Sequence, residues 1–457
     1  MKVVVVGGGI AGLAAARRLL ALAADVQVTL LEREHVLGGK LLTERLDGFV
    51  VEAAPDSFLA RKERGVGLCE ELGLGDELIA RKPQNRGSFV RRGRELIPLP
   101  EGLTGMIPAN LEALDSSDLL SAEGKARFAS EPDIAPAEGD EDESIASFVT
   151  RRFGREAYEA LMEPLVTGIY GGDGELLSLA ATFPQLRAVE RADGSVLRGL
   201  SARGRATADS PFLSLRSGMG TLVTALVGSL TGVRLETGRE GRRLQRGTTG
   251  FELELADGET MAADGVVVTT PAYVTGELVA DLDASLAEAH AEIPYGSSVV
   301  LTLAFAAEDA RPLEGYGYVV PRVEGTDVLA CTWSSRKWEG RAPDGASLVR
   351  VYAGRFGGTD LTLATDDDLI ALACDELRLV GVDAAPTLAR VHRWPLAMPQ
   401  YLLGHLDLLA RVDEAVAQHP GLALAGAAYR GVGIPDCIAS GEAAAESVVR
   451  ALAAAPA

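Results

Sequence analysis

The chain has 457 residues, an apolar content of 47% and a formal net charge of −21. That length exceeds what one hydrophobic core usually serves, so two or three domains are expected. The acidic charge argues against nucleic acid as a partner, because phosphates need a basic face. The four cysteines and five histidines are scattered without disulfide or metal-ligand spacing, so no metal is expected and a reducing, cytoplasmic compartment is favoured.

The first 32 residues predict a βαβ unit that binds a dinucleotide. A β-branched run over residues 3–6 leads into GGGIAG, a helical stretch, and the strand VQVTLLE, which ends at Glu32. Gly7 permits a tight turn, Gly9 lets the backbone approach a pyrophosphate, and Gly12 lets helix and strand pack closely. Glu32 lies 20 residues after Gly12, where it can accept hydrogen bonds from a ribose diol. The residues predicted to bind the cofactor here are Gly7, Gly9, Ile10, Ala11, Gly12, Glu32 and Arg33.

A signal peptide and a transmembrane segment are the other interpretations of this opening. A signal peptide has the same parts, but this run leads into a βαβ unit and not into a cleavage site. No uninterrupted apolar stretch reaches the roughly 18 residues that a spanning helix needs, so no transmembrane segment is expected. Peripheral membrane contact is left open by the composition.

A second glycine pair indicates which dinucleotide is bound. Gly38 and Gly39 follow Glu32 closely and are followed by Lys40 in the sequence GGKLLT. This pattern resembles the second fingerprint of the amine oxidase-like FAD superfamily. The resemblance implies a loop that wraps FAD, with Lys40 near the phosphates where many members have Arg. The positive charge is kept, but the bidentate geometry of Arg is lost.

The remaining elements, in chain order, predict a mixed α/β fold, α+β overall. Residues 96–204 look helical and contain an acidic loop, residues 131–144, that we expect to be solvated. Residues 212–272 read as helix, strand, hairpin and strand, and residues 276–390 as an antiparallel sheet with a helix. A strand over 422–426, a glycine loop and a terminal helix complete the chain.

The superfamily resemblance implies a discontinuous, Rossmann-like FAD-binding domain. Residues 1–60, 205–275 and 400–457 would form it, residues 61–95 and 276–399 a substrate domain, and residues 96–204 a helical domain. The backbone near Arg239 would turn toward the adenine. The terminal helix would point its N-terminus at the flavin N1–C2=O edge, which becomes electron-rich on reduction. Further cofactor-binding residues implied here are Gly426, Gly433, Ile434 and Pro435.

Three more stretches narrow the family. They are PDSFLARK (55–62), EPLVTGIYGGDGELLSLAATFPQL (163–186) and GVGIPDCIASG (431–441). Together with GGGIAGLAAA and GGKLLT they resemble the protoporphyrinogen oxidases, and more closely the Gram-positive-type coproporphyrinogen III oxidases, over nearly the whole chain. The resemblance implies that Pro55, Asp56 and Ser57 contact FAD. Ala54 stands where the family often has Gly, and Ala restricts φ more than Gly does.

The implied reaction is the six-electron oxidation of a porphyrinogen in three hydride transfers from the substrate to FAD. Dioxygen would be the final acceptor and give hydrogen peroxide. We assign no catalytic acid or base, because aromatisation drives the reaction and the cofactor carries the chemistry. Transfer of the porphyrin to a ferrochelatase-like partner is left open.

An enzyme this acidic needs a local basic exception to bind a substrate with four propionates. Lys62 and Arg61 are the favoured substrate residues, with Tyr170 and Tyr429 as aromatic candidates near the cavity. The remaining basic candidates are Arg64, the Arg81–Lys82 pair, and an Arg91–Arg94 cluster that we expect on a solvated hairpin.

Several alternatives stay open. Protoporphyrinogen IX differs from coproporphyrinogen III by two propionates replaced by vinyl groups. An FAD amine oxidase would need an aromatic cage, for which the C-terminal motif offers only Tyr429. A carotenoid desaturase would not be expected to carry GIYGGD or GIPDCI. A non-catalytic FAD-binding scaffold or porphyrin carrier is the alternative from another class.

Overall fold

The computed structural model describes residues 1–85, 87–104, 106–108, 110–203, 211–309 and 314–454. Residues 1–108 contain β1 (Lys2–Val6), α1 (Ile10–Leu22), β2 (Gln27–Glu32), β3 (Thr43–Leu46), β4 (Phe49–Glu52), β5 (Phe58–Leu59), α2 (Glu63–Glu71), β6 (Leu78–Ala80), β7 (Phe89–Arg92), β8 (Glu95–Pro98), β9 (Leu103–Thr104) and β10 (Ile107–Pro108). Residues 110–203 contain α3 (Leu111–Asp115), α4 (Ala122–Ala129), α5 (Ile145–Phe153), α6 (Arg155–Ala157), α7 (Glu163–Tyr170), α8 (Leu179–Thr182), α9 (Pro184–Asp193) and α10 (Val196–Ala202).

The second half continues the order. Residues 211–291 contain β11 (Phe212–Leu215), α11 (Gly220–Gly228), β12 (Arg234–Thr237), β13 (Gly241–Arg246), β14 (Phe251–Leu255), β15 (Thr260–Ala263), β16 (Gly265–Val268), α12 (Ala272–Val279) and α13 (Ala284–Ala291). The rest contains β17 (Tyr295–Ala306), β18 (Gly317–Val319), β19 (Val328–Trp333), α14 (Ser334–Lys337), β20 (Ala346–Ala353), α15 (Asp366–Leu379), β21 (Leu388–Pro399), α16 (His405–Ala417), β22 (Leu422–Leu424) and α17 (Ile434–Ala454). The predicted mixed α/β fold is confirmed.

A five-stranded parallel sheet carries the glycine-rich opening. Its order is β12-β2-β1-β16-β22, and every neighbouring pair is parallel. The sheet therefore combines strands from three separate parts of the chain, as a discontinuous Rossmann-like domain requires. The predicted boundary between residues 204 and 205, and residues 455–457 at the end of the last segment, lie outside the described residues.

Both faces of this sheet are covered, which explains the unbroken apolar run in β1. Val3 and Val5 pack into a core with α1, α11 and α17, whereas Val4 and Val6 pack into a second core with β13–β15, α12, α13 and α16. Successive strand residues point to opposite faces, so a strand buried on both sides must be apolar throughout.

Helices α1 and α17 pack together over one face of the sheet at very short range. A Cβ atom on Gly441 in α17 would lie 2.1 Å from the carbonyl oxygen of Ala11 in α1. Glycine is therefore needed at position 441 for this approach. Both helices begin at the edge where the parallel strands end.

A seven-stranded sheet contains the strands of residues 276–399, which are predicted to belong to a substrate domain. Its order is β21-β17-β20-β19-β18-β7-β8, and its pairs are antiparallel except for β18 with β7. The parallel pair forms because the β7–β8 hairpin reaches this sheet from a much earlier part of the chain. Its core lies against α15.

The helical segment corrects one expectation about the acidic loop. Glu131 is fully buried, pairs with Arg152, and accepts hydrogen bonds from the Ser195 hydroxyl (2.5 Å) and the Val196 amide (2.9 Å) at the start of α10. The prediction of a solvated loop is wrong at this residue, because a buried guanidinium and free helix amides both need an acceptor. Residues 138–142 are exposed. Of the helices in the described ranges, none is long and apolar enough to cross a membrane.

Candidate active site

The carboxyl ends of the five parallel strands bring the predicted cofactor residues to one edge. Gly7 follows β1 with φ +108°, and Gly9 is the N-cap of α1 without a side-chain cap. A Cβ on Gly12 would lie 1.9 Å from the Gly7 carbonyl oxygen, whereas one on Gly9 would meet no atom within 4 Å. The loop is thus tight on its inner side and open before the uncapped amides of Ile10 and Ala11. This is a cradle of the kind that binds phosphate.

The second glycine loop closes onto the first. The Gly38 amide donates to the Gly8 carbonyl at 2.8 Å, and Gly38 and Gly39 have φ of +110° and +58°. The Glu32 carboxylate, at the end of β2, accepts from the amides of Gly8 (2.7 Å) and Glu34 (2.9 Å). Glu32 is therefore fixed at the mouth of the cradle, where the prediction requires a ribose-binding acid.

Arg33 and Arg239 turn their guanidinium groups toward acidic side chains. Arg33 is exposed and pairs with Glu34. The Arg239 amide donates to the Glu32 carbonyl at 2.8 Å, and its guanidinium pairs with Asp257 and Glu259 on the neighbouring hairpin. Only the backbone of Arg239 is at the sheet edge, in agreement with the implied backbone role.

The residues that follow β22 also lie at this edge of the sheet. Gly426 follows β22 with φ +113°, and its amide donates to the Ser440 hydroxyl at 3.0 Å in α17. Gly433 directly precedes α17, and Ile434 and Pro435 are the first two residues of this helix, whose N-terminus faces this edge. Sequence reasoning missed Thr269, which follows β16 and donates to the carbonyls of Val6 (3.1 Å) and Gly7 (3.0 Å). Its signal is the Thr-Pro turn at the end of a buried strand.

The PDSF loop is bound by side chains of α14, of β20 and of Trp338. The Asp56 carboxylate, only 8% exposed, accepts from the Trp338 indole (2.9 Å), Lys337 (3.1 Å) and the Ser57 hydroxyl (2.8 Å). Burial opposes ionisation, but the charges of Lys337 and Arg350 outweigh it and hold the pKa of Asp56 well below its usual range. The Asp56 side chain is thus committed to this network, and the contact of Pro55, Asp56 and Ser57 with FAD stays a prediction.

Two further contacts fix the same loop. The Trp394 indole donates to the Ala53 carbonyl at 2.8 Å, and Arg350 donates to the Ala54 carbonyl. Ala54 is not among the described residues with positive φ. Its conformation therefore does not require the glycine that stands here in many relatives of the resembled family.

Three residues from distant motifs meet beside the start of α17. The Lys62 ammonium lies 2.5 and 2.7 Å from the two carboxylate oxygens of Asp436. Burial, together with the charge of Asp436, raises the pKa of the Tyr170 hydroxyl, and the Tyr170 ring packs against Tyr401. Lys40 is solvent-accessible but closely surrounded by protein, and burial lowers its pKa.

The other predicted substrate residues lie elsewhere. Arg61 is exposed, and no ion pair involves it within the described ranges. Tyr429 points into the core between α13 and α16, where its hydroxyl lies 3.0 Å from Nε2 of His290. The predicted substrate role of Tyr429 is therefore corrected, because its hydroxyl is used internally.

Most of the other basic candidates are occupied. Arg64 pairs with Glu442 and Glu71. Arg91 does lie on a hairpin, but it is buried and pairs with Glu376 (2.6 Å) and Glu324 (2.8 Å), so the expectation that it is solvated is wrong. The Lys82 ammonium donates to a backbone carbonyl, and the Arg81 guanidinium lies over two aromatic rings.

These features define a flavoprotein of the discontinuous dinucleotide-binding class. The open glycine cradle, the Glu32 carboxylate and the two helix N-termini fit FAD. Comparison with known proteins agrees: the family model of flavin containing amine oxidoreductases matches residues 10–449. The chain belongs to this family, and within it to the group of Gram-positive-type coproporphyrinogen III oxidases, and FAD is its cofactor.

Individual relatives cover nearly the whole chain. A coproporphyrinogen III oxidase from Bacillus subtilis is 34% identical, over 97% of this chain and 96% of that protein. One from Propionibacterium freudenreichii is 36% identical, over 99% and 92%. A crystal structure from Exiguobacterium sp. 255-15, assigned as a protoporphyrinogen oxidase, superposes with a TM-score of 0.88 at 34% identity and covers 98% of both chains.

Proposed function

We propose that this chain oxidises coproporphyrinogen III to coproporphyrin III, with dioxygen as the electron acceptor. The observation that carries the proposal is a set of contacts between three stretches: Lys62 pairs with Asp436, and the Tyr170 ring packs against Tyr401, whose hydroxyl accepts from the Gly431 amide near Asp436. Lys62, Tyr170 and Asp436 come from the three stretches that resemble porphyrinogen oxidases, and they lie far apart in sequence. Their convergence beside α17 supports one shared role at the cofactor.

Bound FAD would supply the hydride acceptor for three two-electron oxidations, and dioxygen would be reduced to hydrogen peroxide. The chain's own residues bind and orient. The Gly7–Gly12 loop and the α1 N-terminus hold the phosphates, Glu32 holds the ribose, and the PDSF loop is kept rigid by Asp56. No side chain is assigned as a catalytic acid or base.

Charge favours the more acidic substrate. Lys62 and Lys40 place positive groups at the candidate site of a protein whose net charge is −21. A local basic group at the site offsets the repulsion that this field exerts on a tetracarboxylate. Protoporphyrinogen IX, with two carboxylates, is the second candidate, and the name of the Exiguobacterium protein favours it.

The setting of the reaction is part of the same proposal. Cys69, Cys331, Cys374 and Cys437 are all unpaired, which supports a reducing, cytoplasmic site of action. A ferrochelatase-type enzyme would receive the porphyrin, since a free porphyrin is the substrate for metal insertion.

The test is an aerobic assay of the purified yellow protein with each porphyrinogen in turn, followed by porphyrin fluorescence. We expect a higher kcat/KM for coproporphyrinogen III. A preference for protoporphyrinogen IX would keep the oxidase and overturn the substrate. No gain over autoxidation with either substrate, with FAD bound, would overturn the proposal and favour a binding scaffold.

A further inference from the structure

Helices α2 and α17 are joined by two ion pairs of unequal character. Lys62, directly before α2, pairs with Asp436 in the first turn of α17. Arg64 pairs with Glu442, further along α17, and is also bound by Glu71. The side chains of Lys62 and Asp436 are 40% and 22% exposed, those of Arg64 and Glu442 31% and 15%. The first pair is therefore the more open, and its lysine has no second partner among the described residues.

An ion pair this exposed is weak. Pairs of exposed charges typically shift an equilibrium by only about two- to five-fold, because water and salt screen them. A carboxylate that arrives with its own apolar contacts can therefore replace Asp436 on the Lys62 ammonium at small cost. The guanidinium of Arg64, bound on two sides, is not released so easily.

Asp436 keeps other favourable surroundings after such an exchange. It is the third residue of α17, where the free amides and the positive end of the helix dipole stabilise an anion. It also lies against Gly431 and Gly433, with Oδ2 within 2.8 Å of where a Cβ on either would stand. The position is thus tightly shaped around the carboxylate, and it does not depend on Lys62 alone.

We propose that Asp436 is the resting counter-ion of Lys62 and limits the affinity for the anionic substrate. A substrate carboxylate takes over the Lys62 ammonium, and Asp436 stays behind on the helix N-terminus. Asp436 is then a positioning residue that acts through Lys62 and tunes specificity for carboxylate number. This inference rests on the proposed function, because it takes a porphyrinogen propionate as the incoming group.

The test is a double-mutant cycle with Asp436→Asn, Lys62→Met and the double variant, each checked for bound FAD. We expect Asp436→Asn to lower KM for coproporphyrinogen III about two- to five-fold, with a smaller effect on kcat. Lys62→Met should raise KM, and in its background Asp436→Asn should have no further effect. The control, Glu442→Gln, removes the neighbouring pair between the same helices and should leave KM unchanged.

Either of two results would overturn the inference. One is an unchanged or higher KM for Asp436→Asn, and the other is an equal fall in KM with and without Lys62. Failure of the proposed function is seen separately, as wild-type protein that turns over neither porphyrinogen. In that event the Kd for coproporphyrin III is measured by fluorescence for each variant of the cycle. We expect Kd to change among the variants in the same directions as KM.

Discussion

The contact between α1 and α17 makes Gly441→Ala the most informative single substitution. The added Cβ would lie 2.1 Å from the Ala11 carbonyl oxygen, about 1.3 Å inside ordinary van der Waals contact. The obstacle is backbone, so the two helices must separate. Overpacking of this kind costs about 1–3 kcal/mol, whereas the better helix propensity of Ala returns at most about 1 kcal/mol. The clash should therefore outweigh the gain in helix propensity, by about 1 kcal/mol.

The consequence extends to the cofactor, because both helices point their N-termini at the FAD edge. We expect a lower melting temperature and a lower FAD content after desalting. The matched control is Gly228→Ala at the end of α11, where a Cβ meets no atom within 4 Å and φ is not positive. That variant should be neutral or slightly stabilised. Equal stability of Gly441→Ala and the wild type would refute the packing argument.

Substitutions at three residues outside the candidate site give further predictions. Arg152→Met leaves the Glu131 carboxylate buried without its cation and should lower the free energy of unfolding by about 3–5 kcal/mol; a loss below about 1 kcal/mol in urea titration would contradict this. Tyr429→Phe should cost about 1–3 kcal/mol through its unpaired histidine partner, and an altered KM would argue against its core position. Hydrogen bonding from Ser285 lowers the pKa of Asp283 to about 2. Its stabilisation should be complete above the unfolded pKa of about 3.9 and disappear as pH falls toward about 2; Asp283→Asn should flatten that part of the stability profile.

The elements that sequence predicted best depend on short-range signals. The βαβ opening, its glycines and Glu32 lie within 32 residues, and each has a steric or hydrogen-bonding reason at a fixed spacing. The strands β16 and β22 could be predicted because they are short, apolar and followed by turn residues. That they return to the first sheet was implied by the superfamily resemblance. Such signals do not depend on where distant parts of the chain lie.

Charged and aromatic side chains were harder to place, since their partners are remote in sequence. Arg91 pairs with Glu376, 285 residues away, and nothing near it in sequence indicates burial. Asp56 is bound by Lys337 and Trp338, which lie 281 and 282 residues away in the sequence. A motif predicts that a residue lies near a site, but the direction of its side chain is decided by tertiary packing.

We propose that the site at the parallel-sheet edge oxidises a porphyrinogen through FAD bound to this chain. Anaerobic mixing of the FAD-loaded protein with coproporphyrinogen III, observed by flavin absorbance and porphyrin fluorescence, tests it most directly. We expect the flavin absorbance to decrease as porphyrin forms, with three flavins reduced for each porphyrin. The absorbance should recover when air is admitted. Flavin that stays oxidised while the porphyrinogen persists would contradict it.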